Sequence, residues 1–467
     1  MNLLSIVFTS LILTIGCGNA PQASEQKAVS SDQAFFYSGV SDNNKGMRSG
    51  TIELKGSIKA PSIKKMYLSQ MYGKSSTKID SVAVVNGVFS FSKKELNQGC
   101  YMLSAGENNS MVIILNPTEP VVELAFNSGR LDMGMSSVNS KENEGWFTYL
   151  PQETALLKAI KDLRVQAAKS SLKSEFDKQI AAKELELLNL QKQSIEKYPD
   201  THFAKLLTWK QEPTKTEIGK YWDNIDFSDQ SIIHSTVLTD RIQNFMRGFS
   251  KGEESGFLNC VAMVADKAKA DDKVLEFALN QMLMGFYESG MENICTYIID
   301  TYINGDGCGD ADLSNVIKST AESIQKLSIG NVPPNIQMTT LDGASFDLMK
   351  TAASKKFTLV MFWSSWCEHC KGEAPEVKAC YDTFKAKGFE IVGVSVDNNR
   401  NAWETAVKER GFSFPNVCGM KQWESKVAKD YRVTKTPVFY LLDPSGKIVL
   451  KPKGIREVQA YLNQNLK

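Results

Sequence analysis

Residues 357–378 read FTLVMFWSSWCEHCKGEAPEVK, and this stretch decides the fold of the C-terminal third of the chain. Leu359-Val360-Met361-Phe362-Trp363 is an apolar run with no polar face, the pattern of a strand buried inside a parallel sheet. Ser364-Ser365-Trp366 turn the chain, and from Cys370 onward Ala374, Val377, Tyr381 and Phe384 recur at helical spacing. Two cysteines, in Cys367-Glu368-His369-Cys370, therefore sit where a strand hands over to a helix, the first of them at the helix N-terminus. Unpaired N–H groups and the positive end of the helix dipole stabilise a thiolate there. A thiol so placed in a Cys-X-X-Cys motif has its pKa lowered from about 8.5 to between about 3.5 and 7.5. The thiolate is the attacking species in disulfide exchange. Cys367 is the candidate nucleophile, and Cys370, one turn deeper, is the candidate resolving thiol.

Other uses of the pair fit less well. A structural zinc site needs further ligands, and the chain has no second Cys-X-X-Cys. A c-type haem needs histidine after the second cysteine, where Lys371 stands. A peroxidatic cysteine would follow a Pro-x-x-x-Thr-x-x motif, which is absent before Cys367. Two thiols packed as small hydrophobes remain the structural alternative. No metal and no cofactor is expected.

The stretch resembles the thioredoxin fold, and FWSSWCEHCKGEAPEVK resembles its membrane-tethered TlpA/ResA-type branch. The resemblance extends to VTKTPVFYLLD and implies a cis peptide before Pro437. Pro437 and Thr436 would then face the cysteines, and Trp366, His369 and Thr436 would line a substrate groove. Glu373, three residues past Cys370, matches the acidic residue this branch keeps near its site, and becomes the candidate for proton transfer to or from Cys370. Met361 stands where thioredoxin itself has a buried aspartate. The implied activity is thiol-disulfide exchange through a Cys367–Cys370 redox disulfide, and the resemblance implies the reducing direction. His369 is a possible cation beside the thiolate and would favour the reduced pair, making the disulfide more oxidising, whereas Glu368 opposes it.

Working outward, residues 330–467 read as one α/β thioredoxin-like domain. A hairpin spans Ile336 to Asp347 around Leu341-Asp342-Gly343. Further strands are predicted at Phe389–Asp397, Pro437–Leu442 and Lys447–Leu450, with helices at 370–387, 401–410, 421–430 and 454–466. The alternation predicts a parallel sheet with one antiparallel edge, covered on both faces. Cys380 lies ten residues beyond Cys370 on the same helix, so about 15 Å along its axis, and reads as core rather than as a third redox thiol.

Residues 140–328 read as a central all-α region. No Gly or Pro interrupts 152–198, where two antiparallel helices or one long hairpin fit. Further helices are predicted at 214–223, 232–249, 255–271, 273–289, 291–303 and 311–328. His202 and His234 read as surface or satisfied histidines, and Met282-Leu283-Met284-Gly285-Phe286 as core rather than a copper site. Residues 49–130 read as an all-β domain. Val82–Val85 and Val88-Phe89-Ser90-Phe91 flank Asn86-Gly87, a strong hairpin signal. This stretch resembles the N-terminal β-domain of Bacteroidetes thioredoxin-like lipoproteins.

The ends and the composition fix the setting. Leu3 to Ile15 is apolar and too short for a permanent span, so 1–17 reads as a signal peptide. Gly16-Cys17-Gly18-Asn19-Ala20 resembles a bacterial lipoprotein signal with lipidation at Cys17, and polar 18–48 would be a flexible tether. The expected location is the cell envelope, lipid-anchored and facing the periplasm. The 54 Lys and Arg nearly cancel the 53 Asp and Glu, and no basic run appears, which argues against a nucleic-acid partner. Expected partners are disulfide-containing envelope proteins, a thiol electron donor and the membrane, through the lipid. The alternatives are a disulfide oxidase or isomerase, and a partner-binding lipoprotein with an accessory redox domain.

Overall fold

A computed structural model describes residues 46–106, 108–213, 218–309 and 311–466. Cys17, the expected signal peptide and nearly all of the expected tether lie outside the described residues. The chain divides into two compact units, one ending at Ser314 and the other running from Asn315.

The first unit opens with eight strands: β1 (Ser49–Ile58), β2 (Lys65–Tyr72), β3 (Ser75–Ala83), β4 (Val88–Asn97), β5 (Gly99–Ser104), β6 (Ser110–Leu115), β7 (Val121–Phe126) and β8 (Met135–Ser137). They form two four-stranded sheets, ordered β4-β1-β7-β8 and β3-β2-β5-β6. Period-two alternation turns Leu54 and Ile58 of β1 inward against Phe89, Tyr101, Ile113 and Leu124. The β3–β4 turn has positive φ at both Asn86 and Gly87, 52° and 74°, the twist that Asn-Gly supplies to a two-residue hairpin.

The helices that follow are α1 (Lys141–Ala167), α2 (Lys173–Lys197), α3 (His202–Lys210), α4 (Val237–Phe249), α5 (Glu254–Ala268), α6 (Asp272–Glu288) and α7 (Glu292–Ile298). Helix α1 runs straight through Pro151 and pairs with α2 as an antiparallel hairpin. Its first turns are tied to the strands. Asn143 accepts from Ile114 N–H and donates to Ile114 C=O, at 3.0 and 2.7 Å, and Trp146 Nε1 donates to Val112 C=O at 2.8 Å. The strand-rich and helical stretches, which the sequence separates, thus share one unit.

Glu142 joins three pieces of this unit. Its buried carboxylate accepts from Asn116 Nδ2 and from the N–H groups of His202 and Phe203, each at 2.7 Å, capping the positive end of α3. Glu142→Ala leaves three buried donors unpaired and is expected to cost about 3 kcal/mol, read as a lower urea midpoint with an unchanged slope.

Several expectations are corrected here. His202 is neither at the surface nor satisfied. His202 is 1% exposed because it opens a helix whose next residues, Phe203, Leu206 and Leu207, are core; its ring packs on Trp209 at 6.0 Å. Neither of its ring nitrogens has a partner, and burial drives its pKa down to about 3, so it is neutral. His234 is satisfied, with Nδ1 2.9 Å from Met71 O. Within 214–223 only a short 3-10 turn, Ile218–Lys220, is described. Helix α7 ends in a π-turn, Ile299–Ile303, rather than continuing as an α-helix.

The second unit begins with α8 (Asn315–Lys326), which sequence places with the helical region. It continues with β9 (Gln337–Thr339), β10 (Ser345–Asp347), α9 (Leu348–Ala353), β11 (Phe357–Trp363), α10 (Glu368–Phe384), β12 (Phe389–Ser395), α11 (Arg400–Glu409), β13 (Asn416–Cys418), α12 (Lys426–Asp430), β14 (Val438–Leu442), β15 (Ile448–Leu450) and α13 (Ile455–Asn465). The central sheet is ordered β13-β12-β11-β14-β15. Strands β12 and β13 run parallel to this side of β11, but β14 pairs antiparallel to β11. The expected single antiparallel edge is therefore a mixed half. The connection from Gly419 to Pro437 carries the chain past β11, and β15 turns back by a hairpin. This is a thioredoxin-like fold. Six of the seven β11 residues, Thr358 to Trp363, are buried, as their apolar run requires. The connection from β11 into α10 sits at the edge of this core, where the cysteines are.

Candidate active site

Cys367 is the N-cap of α10, with φ −81° and ψ 112°. Its sulfur accepts the Cys370 N–H at 3.2 Å, the place a serine or aspartate oxygen takes at other helix starts. The Thr436 carbonyl lies 3.4 Å from the same sulfur. The Thr436–Pro437 peptide is cis, and Pro437 lines a narrow cavity with Cys370 and Glu373. Both cysteines are free thiols here, and both are largely buried.

The two sulfurs have opposite electrostatics. The Cys367 thiol is lowered to about 5, first by the hydrogen bond from Cys370, against the opposing effect of burial. The Thr436 side chain, the Cys370 N–H and the charge of exposed His369 contribute further. Cys370 is pushed far up by its bond to Cys367 and by burial. The neighbouring Cys370 thiol acts first, and the Cys370 N–H expected from the helix start adds to it. The proton on Cys370 and the Cys370 N–H both favour the ionised sulfur of Cys367.

Glu373 follows on the same helix face. Its Oε1 accepts from Ile455 N–H at 3.2 Å, and its Oε2 is buried with no partner. Burial raises its carboxyl, and the Cys367 thiolate adds to this. Trp366 is 52% exposed beside Cys367 and meets Trp423 edge-on at 6.0 Å. Cys380 is 1% exposed, and burial pushes its thiol up to about 12. Among the described residues no three His, Cys, Asp or Glu are grouped to hold a metal, and no helix is long and apolar enough to cross a membrane.

Three residues bordering the site were not singled out from sequence. Trp423 stands on a 3-10 turn, Gln422–Glu424, just after two non-glycine residues of positive φ, Met420 and Gln422. Buried Asp397, just past β12, accepts from Ser365 N–H and Oγ–H. Arg410, just past α11, donates to the carbonyls of Ser364 and Ser365. A carboxylate closing the apolar run FEIVGVSVD was a usable signal for Asp397. Nothing local distinguishes Arg410 from a solvated helix-end cation.

Residues 329–451 match the AhpC/TSA family, and residues 52–146 match a domain of unknown function, DUF4369. The thiol-disulfide oxidoreductase ResA of Bacillus thuringiensis (strain Al Hakam) is 31% identical over 143 residues, covering 30% of this chain and 80% of the relative. ResA of Bacillus subtilis (strain 168) is 32% identical over 125 residues, covering 27% and 67%. Among solved structures, the thioredoxin domain of a thiol-disulfide oxidoreductase from Bacteroides vulgatus is 31% identical. It covers 30% of this chain and 99% of that one, with a TM-score of 0.28.

Proposed function

The chain belongs to the ResA family of thiol-disulfide oxidoreductases, and from that premise we propose that it reduces disulfides of periplasmic proteins from a lipid anchor at Cys17. The Cys367 thiolate attacks one sulfur of the substrate disulfide. A mixed disulfide forms, and the substrate's other sulfur leaves as a thiolate. Cys370 then loses its proton and attacks Cys367, releasing the second substrate sulfur and closing a Cys367–Cys370 disulfide. Two electrons pass to the substrate, and a separate thiol carrier returns them.

The observation that carries this reading is the place of Cys367 at the N-cap of α10: its sulfur accepts the Cys370 N–H at 3.2 Å, and a hydrogen bond from the Cys370 thiol lowers its pKa to about 5. The same bond explains the order of events. Once Cys367 is tied up in the mixed disulfide it is no longer an anion, and the main cause holding the Cys370 proton disappears. Glu373, with an unpartnered oxygen and a place in the same cavity, is the acceptor for that proton. Trp366 and Thr436 border the sulfur where the substrate chain would lie.

A second reading has specific support. A thiolate as stable as that of Cys367 favours the reduced pair and makes the disulfide more oxidising, as an oxidase or isomerase requires. The reduction potential separates the two. Equilibrated with glutathione, the protein is expected to fall between about −270 mV, the value of thioredoxin, and about −120 mV, that of the strongest oxidants of the superfamily. It is also expected to reduce insulin. A value at the oxidising end, with no insulin reduction, overturns the reductive direction.

A further inference from the structure

We propose that Asp397 and Arg410 form an ionic clamp on the Ser364–Ser365 turn and act as positioning residues for the cysteine pair, which rests on Cys367 being the attacking sulfur. The turn offers a small set of backbone groups, and charges hold it on both sides. Its donors meet an anion: Ser365 N–H and Oγ–H bond to Asp397 at 3.0 and 2.6 Å. Its acceptors meet a cation: the carbonyls of Ser364 and Ser365 bond to the two terminal nitrogens of Arg410 at 3.1 and 2.8 Å. Hydrogen bonds to ionised groups are about twice as strong as neutral ones, and a guanidinium fork fixes direction as well as distance.

Both charges are themselves anchored. Asp397 is 1% exposed and takes a further bond from Ser395 Oγ at 2.6 Å. The Arg410 guanidinium lies over the buried ring of Trp363 at 4.9 Å. The two make no ion pair with each other, so each spends its charge on the turn. They arrive from different elements, one past β12 and one past α11, and so bind the turn to the whole sheet layer.

The turn in turn holds the first sulfur-bearing residue, and through it the start of the helix that carries the second. The Ser364 carbonyl accepts the Cys367 N–H at 3.4 Å, and Cys367 is the N-cap of α10. A turn free to drift would alter the spacing of the two sulfurs and the proton between them. A substrate pulling on Cys367 during exchange would load this same segment. The clamp fixes the geometry on which the thiolate depends, and Arg410 also borders the narrow cavity that Cys370 and Glu373 line.

The test uses the full chain in its reduced form. Arg410→Met keeps a stem over Trp363 but removes the charge and both bonds, Arg410→Lys keeps the charge and loses the fork, and Ser365→Ala removes one hydroxyl. The pH profile of Cys367 alkylation, read at that residue by mass spectrometry, is measured beside the glutathione equilibrium and Tm. Arg410→Met and Ser365→Ala are expected to raise the alkylation midpoint by about one pH unit, a tenfold change in the proton-binding constant. Both should shift the glutathione equilibrium about tenfold toward the disulfide, since the thiolate stabilises the reduced form. Arg410→Lys should recover part of each change. Unchanged midpoints and equilibria in Arg410→Met and Ser365→Ala, at any Tm, overturn the clamp. Should Arg410→Met fail to fold, Ser365→Ala decides alone. Neither readout needs a substrate, so a wild-type protein that fails to reduce insulin counts against the reductive direction and leaves the clamp standing.

Discussion

Cys370→Ala is expected to stop turnover by at least about a thousandfold while still allowing the first attack, so that the substrate accumulates as a mixed disulfide on Cys367. The resolving step is intramolecular. Its thiol sits one helical turn from the sulfur it must attack, and alanine leaves only external thiols to do the work at their bulk concentration. The first attack is also slowed, because the variant loses the thiol whose hydrogen bond is the largest cause of the lowered Cys367 pKa. It is slowed less than release, since the residue 370 N–H still reaches the sulfur from the helix start. Non-reducing electrophoresis and mass spectrometry of the trapped species check this and name the natural substrate. Turnover close to wild type would remove Cys370 from the resolving role. Equal trapping in Cys367→Ser would mean that the roles are reversed.

The stretch from Phe357 to Phe384 was legible because each local signal pointed the same way. An unbroken apolar strand, a serine turn and a helical stripe leave Cys367 nowhere but a helix N-terminus. The hairpin at Asn86-Gly87 was legible for a similar reason, since few residue pairs accept positive φ twice in succession. What escaped depends on partners distant in sequence. Arg410 matters through the carbonyls of Ser364 and Ser365, about 45 residues away, and periodicity carries no trace of that. Trp423 meets Trp366 from a short turn that the chain enters through positive φ at Met420 and Gln422. His202 looked like an ordinary polar residue at a helix start; tertiary packing against Trp209 overrode that preference. The union of the strands with the helices escaped too, because it runs through Asn143 and Glu142, whose partners Ile114 and His202 lie 29 and 60 residues away.

The reduction potential of the pair should change its pH dependence near pH 5. Cys367 is lowered from 9.0 to about 5, whereas Cys370 keeps its proton throughout the neutral range. Below the break, reducing the disulfide takes up two protons with two electrons, and the potential should fall by about 59 mV per pH unit. Above it only one proton is taken up, and the slope should halve to about 30 mV. Glu373 adds a smaller break above the ordinary carboxylate range, because the thiolate helps hold its carboxyl up and that push ends on oxidation. The same ionisation fixes the sign of the stability change. A folded-state pKa below the unfolded one stabilises the reduced protein fully above pH 9 and loses that contribution as pH falls through about 5. The oxidised protein has no such thiol, so this part of the stability gap between reduced and oxidised forms should move with pH inside that window, while above it the raised Cys370 thiol lowers the stability of the reduced form. At pH 7 a thiol of pKa about 5 is almost wholly ionised, whereas an ordinary one near 9 is about one part in a hundred, so Cys367 should outpace an unperturbed cysteine in thiolate population by about a hundredfold. A single break near pH 9, with alkylation rising only in alkali, would mean that Cys370 does not hold its neighbour ionised, and disulfide exchange at neutral pH would need another source of nucleophile.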